Sequence, residues 1–174
     1  KSRQIAVLVK RLQRKSNARI LVFTGARQVG KTTLVKKMLP DFAYLNIEDP
    51  VQRKTYAALT AQQRQHLYPH AILDEVQKEP QLIESIKATY DTYTDVRYLL
   101  LGSSQLLLLE KVKESLTGRC VIIEMYPLTL PELRTTTWQT DTPYSPWQAL
   151  LRTPMDEPVF FSNFLLDTRN AEKS

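Results

Sequence analysis

One cysteine in 174 residues removes two classes of protein at once. Cys120 alone can close no internal disulfide and complete no CxxC metal knuckle, so a reducing, cytoplasmic setting is expected. The two histidines, His66 and His70, lack partners at ligand spacing and read as structural. Long apolar runs are missing too. The longest, Tyr98 to Leu109, is interrupted by Gly102-Ser103-Ser104-Gln105 and is too short to span a bilayer, and nothing resembles a signal peptide. A soluble protein without a membrane partner is expected. Acidic residues are absent from the first forty positions, so that eleven of the 24 Lys/Arg precede the first acid, Asp41, and the later chain is net negative. Glycine is scarce as well, with only Gly25, Gly30, Gly102 and Gly118. Two of those four stand five residues apart.

With 43% hydrophobic residues, the chain is long enough for one domain with a real core. Its basic start places Ile5, Leu8, Val9 and Leu12 at i, i+3, i+4, i+7, with Arg3, Lys10, Arg11 and Arg14 mostly elsewhere, the pattern of an amphipathic helix. A solvated charged face is the expected role, with a weak nucleic-acid contact at most.

Gly25-Ala26-Arg27-Gln28-Val29-Gly30-Lys31-Thr32 fits G-x-x-x-x-G-K-[ST], the Walker A loop that wraps nucleotide phosphates. Successive backbone N–H groups in such a loop point inward as a nest, and the N-terminus of the following helix adds its dipole. Lys31 would reach the β- and γ-phosphates, and the Thr32 hydroxyl would hold Mg²⁺. With Thr33, these residues form the expected cofactor-binding set. The context agrees with the motif: a β-branched and aromatic run, Arg19 to Thr24, ends at Gly25, and Thr33 to Leu39 continues as a helix that stops before Pro40.

Further strands are expected at 42–48, where Asp49-Pro50 ends the run, and at 70–74, 97–101 and 120–125. Helices are expected over 51–59, over 60–67 behind a Thr60-x-x-Gln63 capping box, over 80–93, and over 105–117 with Gly118 at a left-handed C-cap. Strand and helix thus alternate five times, which predicts an α/β fold, a five-stranded parallel sheet flanked by helices. Ligands of such sheets bind at the carboxyl ends of the strands, where Gly25, Asp74 and Ser103 would converge. Beyond Pro127 the composition changes, with six of the ten prolines between Pro127 and Pro158 and one short helix capped by Thr129-x-x-Glu132. The expected division is a P-loop core over 1–135 and, over 136–174, a Pro-rich linker with the start of a truncated further domain. The chain reads as a fragment of a longer protein.

The strand His70-Ala71-Ile72-Leu73-Asp74 followed by Glu75 has the form of a Walker B motif. Alone, an Asp-Glu pair after a strand is a common turn. Behind a P-loop, Asp74 would hold Mg²⁺ through its water shell and Glu75 would orient or deprotonate the attacking water. No Asn is followed by Lys, so the Asn-Lys-x-Asp guanine reader is missing and ATP is expected over GTP. Ser103 is a candidate contact to the γ-phosphate or the attacking water, against the alternative of a Gly-Ser turn without a role. Arg119 is a candidate arginine finger, in cis or in trans, against the alternative of a helix-end surface ion pair.

Gly25 to Leu34, Tyr44-Leu45-Asn46-Ile47-Glu48, Leu73-Asp74-Glu75-Val76-Gln77, Leu101-Gly102-Ser103-Ser104, Leu116-Thr117-Gly118-Arg119 and Pro127 to Glu132 together resemble the prokaryotic AAA-type ATPases of the AAA_14 family. The resemblance covers about residues 1 to 135. It implies a core ATPase with Lys31, Thr32, Asp74 and Glu75 in the usual roles, a role for Ser103 and Arg119, and a C-terminal DUF4143 domain of which little is present. An arginine given by a neighbouring subunit would make the protein a homo-oligomer.

The leading expectation is an Mg²⁺-dependent ATPase acting as a switch or motor for a protein partner. A nucleic-acid translocase is the alternative within the same chemistry, since Asp74-Glu75-Val76-Gln77 also resembles motif II of some helicases. Those want Gly-Asp-x-x-Gln later, and Gly102-Ser103-Ser104-Gln105 lacks the Asp. A module that only binds nucleotide is the third reading. It has no need of the base at Glu75.

Overall fold

A computed structural model describes residues 3–13, 19–103, 106–133 and 135. Five short runs of aliphatic and aromatic residues become its strands: β1 Ile20–Thr24, β2 Ala43–Asn46, β3 His70–Asp74, β4 Arg97–Leu101 and β5 Cys120–Glu124. All pair in parallel, in the order β2-β3-β4-β1-β5. The fold class read from the strand–helix alternation is therefore the one observed, an α/β sheet flanked by helices. β1 is buried along its whole length and β4 from Tyr98 to Leu101, because both faces of a parallel sheet are covered.

The helices are α1 Ile5–Gln13, α2 Lys31–Met38, α3 Pro50–Ala57, α4 Ala61–Leu67, α5 Leu82–Thr92, α6 Leu106–Leu116 and the short α7 Leu130–Leu133. Between β3 and α5, Val76–Lys78 makes one 3₁₀ turn. α4 packs beside α5, and α5 beside α6. Leu82, Ile83 and Ile86 of α5 join Ile20, Val22, Leu73, Tyr98 and Leu100 of the sheet in one buried cluster.

Local signals set the boundaries. Thr60 and Gln63 make the reciprocal capping box at the start of α4. Gly118 is left-handed after α6, with the Arg119 N–H closing on the Leu116 carbonyl. Asp49-Pro50 behaves differently from expectation. The strand before it already stops at Asn46, and the pair opens α3, with the Asp49 side chain accepting from the Val51 N–H and Pro50 in the first turn. A proline costs nothing there, since the N–H it lacks has no helical partner.

Residues Arg3–Leu128 form one compact unit, and those from Thr129 onward belong to another. Within the second, the Glu132 carboxylate accepts from the Thr129 N–H at 2.9 Å, one arm of the expected cap on α7. The expected linker and truncated domain over 136–174, Ser104 and the helix start at Gln105 lie outside the described residues.

Candidate nucleotide-binding site

The strand order brings the site together. β4 lies between β1 and β3, so the loops after β1, β4 and β3 leave the sheet side by side at its carboxyl edge. Gly25 and Lys31 follow β1, Ser103 follows β4, and Asp74 closes β3. Gly25 has φ 141° and lies so close to β5 that a Cβ there would overlap the Met125 carbonyl oxygen. No other residue type would fit. Gln28 and Gly30 are also left-handed, which curls residues 25–30 back over the start of α2.

α2 begins without a side-chain cap: Gly30 sits at the N-cap with φ 89° and has no side chain to accept from the first turn. The first N–H groups of the helix are thereby left for an outside acceptor, and its dipole favours an anion. Lys31 donates from Nζ to the carbonyls of Gly25, at 2.9 Å, and Ala26, at 2.8 Å. Burial lowers its pKa, and the nearby Glu75 and Asp74 carboxylates offset this in part. A cleft of about 450 Å³ opens here, lined by Arg27, Gln28, Gly30, Lys31, Thr32, Thr33, Glu48 and Glu75.

The Thr32 hydroxyl donates to Asp74 Oδ2 at 2.7 Å, although the two residues are 42 positions apart. A hydroxyl has one proton and two lone pairs, so a proton committed to Asp74 leaves oxygen lone pairs for a cation. Asp74 is buried, and its Oδ1 accepts the Glu75 N–H at 3.0 Å with acceptor capacity to spare. These two hard oxygen donors beside a phosphate-sized nest fit Mg²⁺, which keeps several waters and takes one or two protein ligands.

A protein-family model described as an AAA domain, AAA_14, matches residues 17–134, which include every element from β1 to α7. The chain belongs to that family. This AAA domain is 33% identical over 124 residues to an uncharacterized protein of Mycobacterium tuberculosis, Rv2008c, and equally to an uncharacterized protein of Mycobacterium bovis, Mb2031c. The match covers 67% of this chain and 27% of each relative, so the chain spans about a quarter of their length. The family is one of nucleotide-binding AAA-type ATPases. Among the described residues no helix of the domain is long and apolar enough to cross a membrane.

In this AAA domain Glu75 lines the cleft with a left-handed backbone, φ 58°. Such a conformation is uncommon for a residue with a Cβ and turns the chain sharply out of β3. Gln77, on the 3₁₀ turn, donates from Nε2 to Glu75 Oε2. Ser103 is buried with an unpartnered hydroxyl. A buried hydroxyl without a partner is costly, and this one lies at the edge from which Gly25 and Asp74 also emerge. Arg119 is placed elsewhere. It immediately precedes β5, level with the start of β1, and pairs with Asp91 through Nε at 2.7 Å and Nη2 at 3.1 Å. It therefore stands at the amino end of the sheet, a strand length of roughly 15 Å from the phosphate loop. That position separates it from the other candidates.

Two residues of the site were given no role of their own by the sequence. Arg3, at the front of α1, donates to the Val29 carbonyl of the loop and to the Tyr126 carbonyl at 3.2 Å, tying the N-terminus to both. Tyr44 donates from its phenol to Asp74 Oδ2 at 2.8 Å. Burial first, then the hydrogen bond and the neighbouring carboxylates, push the Tyr44 pKa above the ordinary tyrosine range, so it remains a donor at neutral pH. Neither could be found by spacing. Both depend on which segments the fold makes adjacent.

Proposed function

We propose that this domain binds Mg²⁺–ATP and hydrolyses its terminal phosphoanhydride, serving as a switch or motor for a protein partner. The observation that carries the reading is the Thr32–Asp74 hydrogen bond at the open N-terminus of α2. It supports the reading because it sets a hydroxyl and a carboxylate oxygen together at the uncapped start of α2.

In this reading residues 25–33 cradle the phosphates with backbone N–H groups, and Lys31 turns from the Gly25 and Ala26 carbonyls to the β- and γ-phosphates. Bound Mg²⁺ neutralises charge on the phosphates as it develops. Thr32 offers an oxygen lone pair to the cation while its O–H continues to donate to Asp74. Glu75, held by Gln77, orients the attacking water or takes its proton. Ser103 supplies a hydroxyl to the γ-phosphate or that water, which would satisfy its unpartnered Oγ. Arg119 acts in trans on a neighbouring copy, making the working form a homo-oligomer. Cytoplasmic location, a C-terminal DUF4143 domain in the whole protein and a weak nucleic-acid contact at most belong to the same proposal.

Nucleotide binding is tested by titrating a fluorescent ATP analogue with Mg²⁺ present. Saturable binding by the wild type, lost in Lys31→Ala, is expected. Binding that survives the substitution would put the phosphates elsewhere.

A further inference from the structure

Four side chains meet beside the proposed cation site, and their placement follows from the two periodicities of the fold. On α2, Thr32 and Lys36 are one turn apart and share a face. On the sheet, Tyr44 pairs in register with Ile72, and Ile72 shares its face with Asp74 two residues on. The helix face meets the sheet face: Thr32 reaches Asp74 at 2.7 Å, and the Lys36 ammonium sits 3.4 Å from the Tyr44 ring centroid. Between them the Tyr44 phenol reaches Asp74 at 2.8 Å.

A carboxylate oxygen has about two acceptor positions. Asp74 Oδ2 uses both, one for Thr32 and one for Tyr44, while Oδ1 uses one for the Glu75 N–H. The carboxylate is therefore held against rotation by hydroxyls from two different elements, and its one open acceptor position is on Oδ1. Without Tyr44, Oδ2 would keep one donor, and the group could turn about its Cβ–Cγ bond. The Lys36 ammonium lies over the phenol's ring, so the donor itself is held.

We propose that Tyr44 is a positioning residue for the divalent cation, fixing the Asp74 carboxylate so that Oδ2 is committed to the protein and Oδ1 faces the cation's shell. This rests on the Mg²⁺–ATP reading. Tyr44 touches neither nucleotide nor cation; it acts through Asp74. Its effect is therefore confined to cation-dependent binding energy.

Tyr44→Phe removes only the hydroxyl and keeps the ring under Lys36. The test compares ATP-analogue affinity in excess Mg²⁺ with affinity in EDTA, for wild type and variant, alongside a thermal melt. The expected result is that affinity in EDTA stays within about twofold while the gain from Mg²⁺ shrinks by about tenfold, the loss of one charge-assisted hydrogen bond. Tyr44→Leu, which also removes the ring, should shrink it at least as far. An unchanged Mg²⁺ gain in Tyr44→Phe overturns the proposal, and so does an increased gain, which would make the phenol a competitor of the cation. Equal loss with and without Mg²⁺ would assign Tyr44 to packing alone and also overturns it. A wild type that binds the analogue without any Mg²⁺ gain removes the cation site, and with it this role. A wild type that binds no analogue removes the nucleotide reading itself.

Discussion

The Lys31 ammonium lies 2.9 Å from the carbonyl oxygen of Gly25, folded back onto the loop that it would use to hold phosphate. The Gly25 and Ala26 carbonyls keep this buried cation hydrogen-bonded, and in the proposed reading phosphate oxygens would replace them. The side chain is thus poised within its own loop.

That burial carries a pH signature. Because the folded-state pKa of Lys31 is lowered, the native state binds fewer protons than the unfolded chain between the two values, so this group's contribution to stability rises with pH across that window. Phosphate binding needs the charged form and has the opposite sign. Nucleotide affinity should fall on raising the pH, starting below the ordinary lysine range, and titrations between neutral and alkaline pH should show the fall in wild type. Lys31→Met should bind weakly and show no such step. A pH-independent wild-type affinity would detach Lys31 from the ligand.

Gly25 and Gly118 are both left-handed, yet their substitutions should differ sharply. At Gly118 nothing lies within 4 Å of an added Cβ, so Gly118→Ala should cost only the conformational strain, about 1–2 kcal/mol. At Gly25 the same change adds overlap with the Met125 backbone, which cannot swing aside like a side chain. A larger loss of melting temperature is expected there, with loss of nucleotide binding. Equal costs would show that the loop can move away from β5.

Arg119 stands at the far end of the sheet from the phosphate loop, in a two-pronged pair with Asp91. Acting in trans, it predicts complementation. Arg119→Ala and Glu75→Gln chains should each hydrolyse ATP slowly, and a mixture of the two should recover activity, since one supplies the base and the other the arginine. Arg119→Ala alone should leave affinity for nucleotide unchanged. No recovery, together with a wild-type rate in Arg119→Ala, would reduce the residue to its ion pair.

The strands and the phosphate loop were legible because their signals are local: an apolar run for a strand buried on both faces, two glycines and a lysine at fixed offsets. Asp74 and Glu75 were legible because the same loop stands upstream. The end of β2 was not. Asp49-Pro50 is a breaker in a strand pattern and a starter in a helix pattern, and only the Asp49 bond to the Val51 N–H decides between them. The contacts of Tyr44 and Arg3 were not legible for another reason. Their partners, Asp74 and Val29, are set by the pairing of β2 with β3 and by the placement of α1, which no short window contains. The position of Arg119 likewise follows from its place before β5 rather than after a strand.

Phosphate release from Mg²⁺–ATP by wild type and by Glu75→Gln decides whether the domain hydrolyses its nucleotide. Glu75 has no part in the 2.7 Å contact between Thr32 and Asp74, so the substitution should preserve affinity for the ATP analogue. Removing the carboxylate should lower the rate by at least about 10²-fold, the usual contribution of a positioned general base. Release by the wild type that disappears in Glu75→Gln, with binding intact, is the predicted result. A wild type that binds ATP and releases no phosphate, or a variant that releases it as fast, would contradict the account.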